Sequence, residues 1–268
     1  VEARSLDGFG SAATGDVHGF DPRVSALTAS TLDFLDRCGA WEKIAQNRYA
    51  PFRSMFVWDE NGTGEIEFNA EEVRAERLGC IVENRLVMQA LLDVVKESCD
   101  VDLVDDVRVE RIEFAANRVE HTGNNVPLNN VYLDNDNVLS CKLLVAADGA
   151  HSAVRDMAGI AVRAWDYQQD AIVTTVAVDS EPSHTAWQCF TEWGALAFLP
   201  LEIDVSEASN TPQSATGQAN KSSQHTTSFY SIVWSVAREH SAELLALSDA
   251  DFSACLLYTS PSPRDRLK

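Results

Sequence analysis

The chain holds no run of apolar residues near the roughly 18 to 20 that a membrane-spanning helix needs, which excludes a helical span within its 268 residues. Its first residues, Val1-Glu2-Ala3-Arg4, lack the charged-then-apolar layout of a secretory leader. Basic residues are scarce. The 21 Lys and Arg face 41 Asp and Glu, a formal charge of -20 that repels nucleic-acid phosphates and anionic lipid surfaces, so no nucleic-acid partner is expected. There is no C-x-x-C pair, and none of the six cysteines (Cys38, Cys80, Cys99, Cys141, Cys189, Cys255) has a His at zinc spacing. No metal site is expected, and the thiols read as reduced small hydrophobes. H-E-x-x-H, the phosphate-binding G-x-x-x-x-G-K-[ST] loop and a Ser-His-Asp arrangement are also missing, so metalloprotease, P-loop and triad hydrolase chemistry find no support.

What is present is 45% hydrophobic residues, enough for one large core or two moderate ones. Residues 24–46 carry Leu27, Leu32, Leu35 and Trp41 at the spacing of an amphipathic helix, with Thr28 or Ser30 as its cap and Gly39 as its stop. Phe52 to Phe68 alternates apolar and polar residues on either side of Asp59-Glu60-Asn61-Gly62, which predicts a hairpin. Residues 81–97 repeat apolar positions at Leu86, Ala90, Val94 and at Val87, Leu91, Val95, which predicts a second helix. Short strands are expected at 101–104, 107–114 and 131–133. The run Leu143-Leu144-Val145-Ala146-Ala147 after Lys142 reads as a fully buried strand of a parallel α/β sheet. Strands at 170–178, 195–201 and 228–236 make the second half sheet-rich. Between them, 204–227 is too polar to bury a core and predicts a disordered surface loop. The basic, Pro/Ser-rich stretch 256–268 resembles adapter-derived sequence and is set aside as a tail foreign to the domain, beginning near 255.

One constellation carries chemistry. The expected buried strand ends at Asp148-Gly149, with Ser152 and Arg155 downstream, where α/β folds bind ligands. Asp148 suits ribose or ribityl hydroxyls, Gly149 allows close backbone approach, and Arg155 suits a phosphate. A strand-to-helix turn with a capping Asp and a surface Arg accounts for the same residues equally well.

The segment Ala147-Asp148-Gly149 followed by Ser152, Val154 and Arg155 resembles the second flavin signature of the para-hydroxybenzoate-hydroxylase-like monooxygenases. Its neighbours resemble the ubiquinone-biosynthesis branch of that family: Arg23-Val24-Ser25-Ala26-Leu27, Gly39-Ala40-Trp41, Arg48-Tyr49, Phe52-Arg53-Ser54-Met55, Val57-Trp58-Asp59 and Ile81-Val82-Glu83-Asn84. Trp165-Asp166-Tyr167, Thr185-Ala186-Trp187-Gln188-Cys189-Phe190, Phe198-Leu199-Pro200-Leu201, Ser231-Ile232-Val233-Trp234-Ser235 and Glu239-His240 continue it in order. The Arg-Tyr, Val-Trp-Asp and Glu-His elements look most like the mitochondrial members.

The resemblance implies a mixed α/β (α+β) fold, a Rossmann-like FAD-binding domain interleaved with a mainly antiparallel substrate-binding sheet. Residues 1–50 and 79–165 would belong to a partial FAD domain, and 51–78 with 166–254 to the substrate domain. It implies FAD contacts from Glu2 (adenosine ribose), Arg23, Asn84, Asp148, Gly149 and Arg155, no metal, and no catalytic side chain, because the flavin performs the oxygen chemistry. Asn84 stands where many relatives carry Arg and supplies a donor without charge. Arg23 is expected just before a helix, where its charge opposes the macrodipole. Trp187, Phe190, Trp193 and Phe198 would line a pocket for a polyprenyl-substituted ring, although core packing is the commoner fate of such residues.

The family's G-x-G-x-x-G loop is not found. Gly8-Phe9-Gly10 follows no strand, and the next glycine, Gly15, is at the wrong spacing. The family's later Gly-Asp flavin segment is also not found, so the chain is expected to be a piece, truncated at both ends, that by itself neither holds FAD tightly nor hydroxylates. The implied parent is an FAD-dependent monooxygenase that uses O₂ to hydroxylate a polyprenyl-hydroxybenzoate-type precursor of ubiquinone. A ferredoxin system or NAD(P)H would supply the electrons, though the net charge opposes an acidic ferredoxin. The implied location is the mitochondrial inner membrane, peripheral on the matrix side, in a ubiquinone-biosynthesis complex. Two other readings stay open: a flavin hydroxylase for another aromatic substrate, and a non-catalytic assembly subunit.

Overall fold

The computed structural model describes residues 1–7, 19–115, 128–180, 182–202 and 227–259. In chain order its elements are β1 (Val24–Thr28), α1 (Ala29–Arg37), α2 (Trp41–Ala45), β2 (Ala50–Phe52), β3 (Ser54–Asp59), β4 (Glu65–Asn69), β5 (Gly79–Glu83) and α3 (Asn84–Glu97). They continue with β6 (Val109–Glu113), β7 (Asn129–Leu133), β8 (Val138–Cys141), α4 (Ala153–Met157), β9 (Gln169–Asp179), β10 (Thr185–Thr191), β11 (Gly194–Leu201), β12 (Thr227–Ala237), α5 (Arg238–Leu245) and α6 (Asp249–Thr259). The chain divides into two compact units, one built from 1–9 and 98–166, the other from 10–97 and 167–268.

The larger unit is organised by a six-stranded sheet in the order β4-β3-β10-β11-β12-β9. All its pairings are antiparallel except β3 with β10, where Ser54 to Asp59 run alongside Thr185 to Phe190. The β-branched and aromatic runs at 170–178 and 228–236 form β9 and β12, which pair along their whole length from Gln169↔Ala237 to Asp179↔Thr227. Ile172, Leu196, Ile232, Trp234 and Val236 pack there with Leu244 of α5 and Leu256 of α6. Residues 256–259, set aside in the sequence, are thus helical, and Leu256 is buried because it fills this core. The expected hairpin forms as β3 and β4. The expected loop at 204–227 lies outside the described residues up to 226, and Thr227 opens β12.

A three-stranded antiparallel sheet, β1-β5-β2, carries α1, α2 and α3. Leu32, Leu35, Ile44 and Ala90 close over Cys80 and Val82. Here two helix expectations need correcting. Residues 24–28 are strand, because Val24 to Thr28 pair with Glu83 to Gly79, and α1 starts only at Ala29. Residues 81–83 are likewise strand, every residue of β5 being buried, and α3 starts at Asn84. β5 is buried on both faces and carries no period-two signature, and β1 is only five residues long, so the apolar residues of each merged with the adjoining helical pattern. Gly79 is required at this crossing, since a Cβ there would stand 2.4 Å from the Leu27 carbonyl. Gly39 ends α1 as expected, at φ +76°.

In the smaller unit β6, β7 and β8 form an antiparallel sheet over Val107, Val131 and Leu133. Residues 101–104 are not a strand, although the Glu2 amide donates to the Val104 carbonyl at 2.9 Å. The expected buried strand at 142–147 is also not formed. That stretch carries no regular secondary structure, with Leu143 77% and Val145 74% exposed. A strand exists only through a hydrogen-bonding neighbour, and no described residue pairs with this one. Asp148 therefore does not stand at the carboxyl end of a parallel sheet. The mixed α/β, mainly antiparallel architecture itself is as expected.

Candidate functional site

In the smaller unit the Asp148 turn is a built structure. Gly149 takes φ +86°, a left-handed conformation that favours glycine, and nothing lies within 4 Å of where its Cβ would be. The chain then turns into α4, whose first turn is capped by Ser152: its Oγ accepts from the Arg155 amide at 3.0 Å. The same hydroxyl donates to Asp148 Oδ1 at 2.5 Å, and the Val154 amide donates to Oδ2 at 3.2 Å. These bonds, the Ser152 hydroxyl first, hold the Asp148 carboxyl below the usual carboxylate range. Arg155 is occupied locally, donating from Nη1 to the Ala150 carbonyl at 2.9 Å and facing Asp156 at 3.3 Å. The turn into α4 is thus capped by Ser152 rather than by Asp148, and no strand leads directly into it. Glu2, 38% exposed at its side chain, accepts from the Arg4 amide at 3.0 Å.

In the larger unit Arg23 and Asn84 are neighbours. Asn84 donates its amide to the Arg23 carbonyl at 3.0 Å, and its Oδ1 accepts from the Ser25 hydroxyl at 2.6 Å. Arg23 is exposed, and its guanidinium has no partner among the described residues. It precedes β1 rather than a helix, so the expected conflict with a macrodipole does not arise.

The strongest polar cluster was not singled out in the sequence. Glu83, 3% exposed at the end of β5, receives Arg48 Nε on Oε1 at 2.5 Å and Arg48 Nη2 on Oε2 at 3.2 Å. Arg85 Nε reaches Oε2 at 3.0 Å, and the Asp21 amide reaches the same oxygen at 2.7 Å. Both arginines also donate to the Gly19 carbonyl, at 2.6 and 3.4 Å. Arg48 lies 4.2 Å over the ring of Phe20. A charged residue inside an otherwise apolar strand, Gly-Cys-Ile-Val-Glu, is the signal that could have found it, since such residues are almost never buried unless paired.

Of the expected pocket aromatics, Trp187, Trp193 and Phe198 pack against the sheet core and Phe190 is half exposed. Trp193 stacks on Trp234 at 6.0 Å and on His240 at 5.0 Å. At the other end of the sheet, Pro200, Leu201, Glu202, His184 and Tyr230 line a shallow recess. Burial raises the Tyr230 hydroxyl, with the hydroxyls of Ser228, Ser183 and Ser180 opposing, and raises Glu202, with His184 opposing.

A family model described as "FAD binding domain" matches residues 16–242. The chain belongs to that family. Among curated proteins, 3-demethoxyubiquinol 3-hydroxylase of Escherichia coli is 35% identical over 181 residues, covering 68% of this chain and 44% of that protein. The mitochondrial ubiquinone biosynthesis monooxygenase COQ6 of Danio rerio is 31% identical over 235 residues, covering 87% and 43%, and its human counterpart 30% over 234, covering 87% and 44%. The chain thus spans less than half the length of these relatives. Among solved structures, Pseudomonas aeruginosa PqsL in complex with 2-aminobenzoylacetate superposes with a TM-score of 0.62 at 17% identity, covering 90% of this chain and 61% of PqsL. Klebsiella pneumoniae HpxO complexed with FAD and uric acid gives 0.56 at 17%, covering 91% and 55%. These two likenesses concern the fold.

Taken unit by unit, the exposed Arg23 of the larger unit offers a cation that suits an anionic oxygen such as those of FAD. In the smaller unit, Asp148 offers an ionised acceptor with lone pairs beyond its two bonds, which suits a hydroxyl, and Gly149 an open backbone. The glycine motif considered in the sequence, from Gly8 to Gly15, lies outside the described residues.

Proposed function

We propose that the chain is part of a flavin-dependent monooxygenase that hydroxylates the aromatic ring of a polyprenyl-hydroxybenzoate-type precursor in ubiquinone biosynthesis. The observation that carries this reading is the match at 31% identity over 87% of the chain to a ubiquinone-biosynthesis monooxygenase. Residues 1–50 and 79–165 hold the flavin, through Glu2, Arg23, Asn84, Asp148, Gly149 and Arg155. Residues 51–78 and 166–254 supply the substrate sheet. Bound FAD supplies the O₂ and electron-transfer chemistry. The residues of the chain bind it, present hydrogen-bond donors to its anionic and hydroxyl groups, and exclude water from the reacting ring. The reductant is a ferredoxin-type protein or NAD(P)H, and the location is the matrix face of the inner membrane; the mitochondrial relatives support the mitochondrion.

The test is to express the complete reading frame in a strain lacking its ubiquinone-ring hydroxylase and to quantify quinone by mass spectrometry. Restored ubiquinone and a yellow purified protein are expected. A yellow protein that leaves quinone at the deletion level would move the reading to another aromatic substrate. A colourless protein that restores quinone only alongside another hydroxylase would establish an assembly role instead.

A further inference from the structure

We propose that Glu83 is a positioning residue: by fixing the main chain of residues 19–23, it presents the Arg23 guanidinium to an anionic oxygen of the flavin cofactor. The inference rests on the flavin reading above. Every residue of this segment is held. The Gly19 carbonyl accepts from Arg48 and Arg85. Phe20, 1% exposed, lies beneath Arg48 and beside Phe229 at 5.7 Å. The Asp21 amide donates to Glu83, and the Pro22 carbonyl accepts from the buried Ser231 hydroxyl at 3.1 Å. Arg23 donates its amide to Asp21 Oδ1 at 2.9 Å and accepts at its carbonyl from Asn84.

The distribution of charge within this arrangement is uneven. Arg48 and Arg85 converge on the single carboxylate of Glu83, which accepts four N–H groups. Arg23, whose carbonyl accepts from the amide of Asn84 between Glu83 and Arg85, is left exposed without a partner among the described residues. Burying the Glu83 carboxylate against two partly exposed guanidiniums costs solvation that apolar residues of similar volume would not cost, so stability alone does not account for the cluster. A rigid backbone under one unspent cation does account for it. The cation's approach is set before the ligand arrives, which removes the entropy that a mobile arginine would lose on binding.

The test uses the full-length protein stripped of flavin and titrated with FAD, following quenching of flavin fluorescence, with circular dichroism and thermal melting confirming that each variant is folded. Arg23→Ala and Glu83→Gln are each expected to weaken the Kd about tenfold, and the double variant no more than Arg23→Ala alone. Glu83→Asp recovers part of the loss. Arg85→Gln, a milder change at a partly exposed side chain, should give a loss of about threefold that disappears in the Arg23→Ala background. Multiplying losses in the double variants, or an unchanged Kd for Arg23→Ala or Glu83→Gln, would overturn the inference while leaving the flavin reading intact. A wild-type protein that does not quench FAD would remove the flavin reading itself.

Discussion

The Ser152 hydroxyl stands between two partners, donating to Asp148 Oδ1 at 2.5 Å and accepting from the Arg155 amide at 3.0 Å. One buried side chain therefore both caps α4 and keeps the preceding carboxylate ionised. Ser152→Ala removes both functions. The lost cap should lower unfolding stability by about 1 kcal/mol, measured by urea denaturation of the chain. The Asp148 carboxyl should rise toward its ordinary value, read by NMR titration of the side chain.

The acid limb follows from the same bonds. A carboxyl whose folded pKa lies below its unfolded one contributes stability that is complete above its ordinary value of 3.8 and is lost as pH falls through the folded value. Stability of the wild type should decline over that acid window, and Ser152→Ala should flatten the decline. A pH series of denaturation midpoints compares the two slopes.

Breaking the buried ion cluster is costly in a way that neutralising it is not. Arg48→Met leaves Glu83, 3% exposed, with Arg85 as its one remaining guanidinium among the described residues, and should cost about 3 kcal/mol. The paired change Arg48→Met with Glu83→Leu should recover part of that loss, because no uncompensated buried carboxylate remains. Equilibrium unfolding of the two variants makes the comparison.

Two left-handed glycines should respond differently to alanine. At Gly194, φ +134°, the added Cβ would stand 1.9 Å from the Ser235 carbonyl oxygen, whereas at Gly149 it meets open space. Gly149→Ala should cost about 1 to 2 kcal/mol, the strain of a left-handed alanine. Gly194→Ala adds a backbone collision between β11 and β12, and should give much lower soluble yield and melting temperature.

Leu143 and Val145 are exposed apolar side chains in a stretch without regular secondary structure. Changing both to Ser should move stability by no more than about 0.5 kcal/mol, as for other surface positions, while reducing concentration-dependent light scattering of the isolated chain. A large loss of stability would mean that these residues are buried.

Much of the larger sheet was legible because its strands are long and rich in β-branched and aromatic residues, and the hairpin because polar turn residues separate two alternating runs. What was not legible depended on partners. β1 and β5 are five residues each, and only strand pairing, with each other and of β5 with β2, distinguishes them from the helices they adjoin. The stretch 142–147 has the composition of a buried strand, but composition records a demand for neighbours and does not supply them. Within the site, the residue types at Asp148, Gly149 and Arg155 were readable, while their local engagements were not. The Glu83 cluster draws on Gly19, Asp21, Arg48 and Arg85, which no short motif brings together.

The parallel seam between β3 and β10 has a consequence for synthesis. It is tied at its two ends by His184 to the Pro51 carbonyl and by the Glu192 amide to Glu60, pairs 133 and 132 residues apart in sequence. At the usual ribosomal pace, the β3–β4 hairpin emerges roughly ten seconds before β10 exists. During that interval Phe56 and Trp58, which later meet Trp187 at 5.5 and 6.3 Å, lack this partner. Loop closure over such a distance is slow, so the nascent hairpin is the point at which a chaperone would have most to protect.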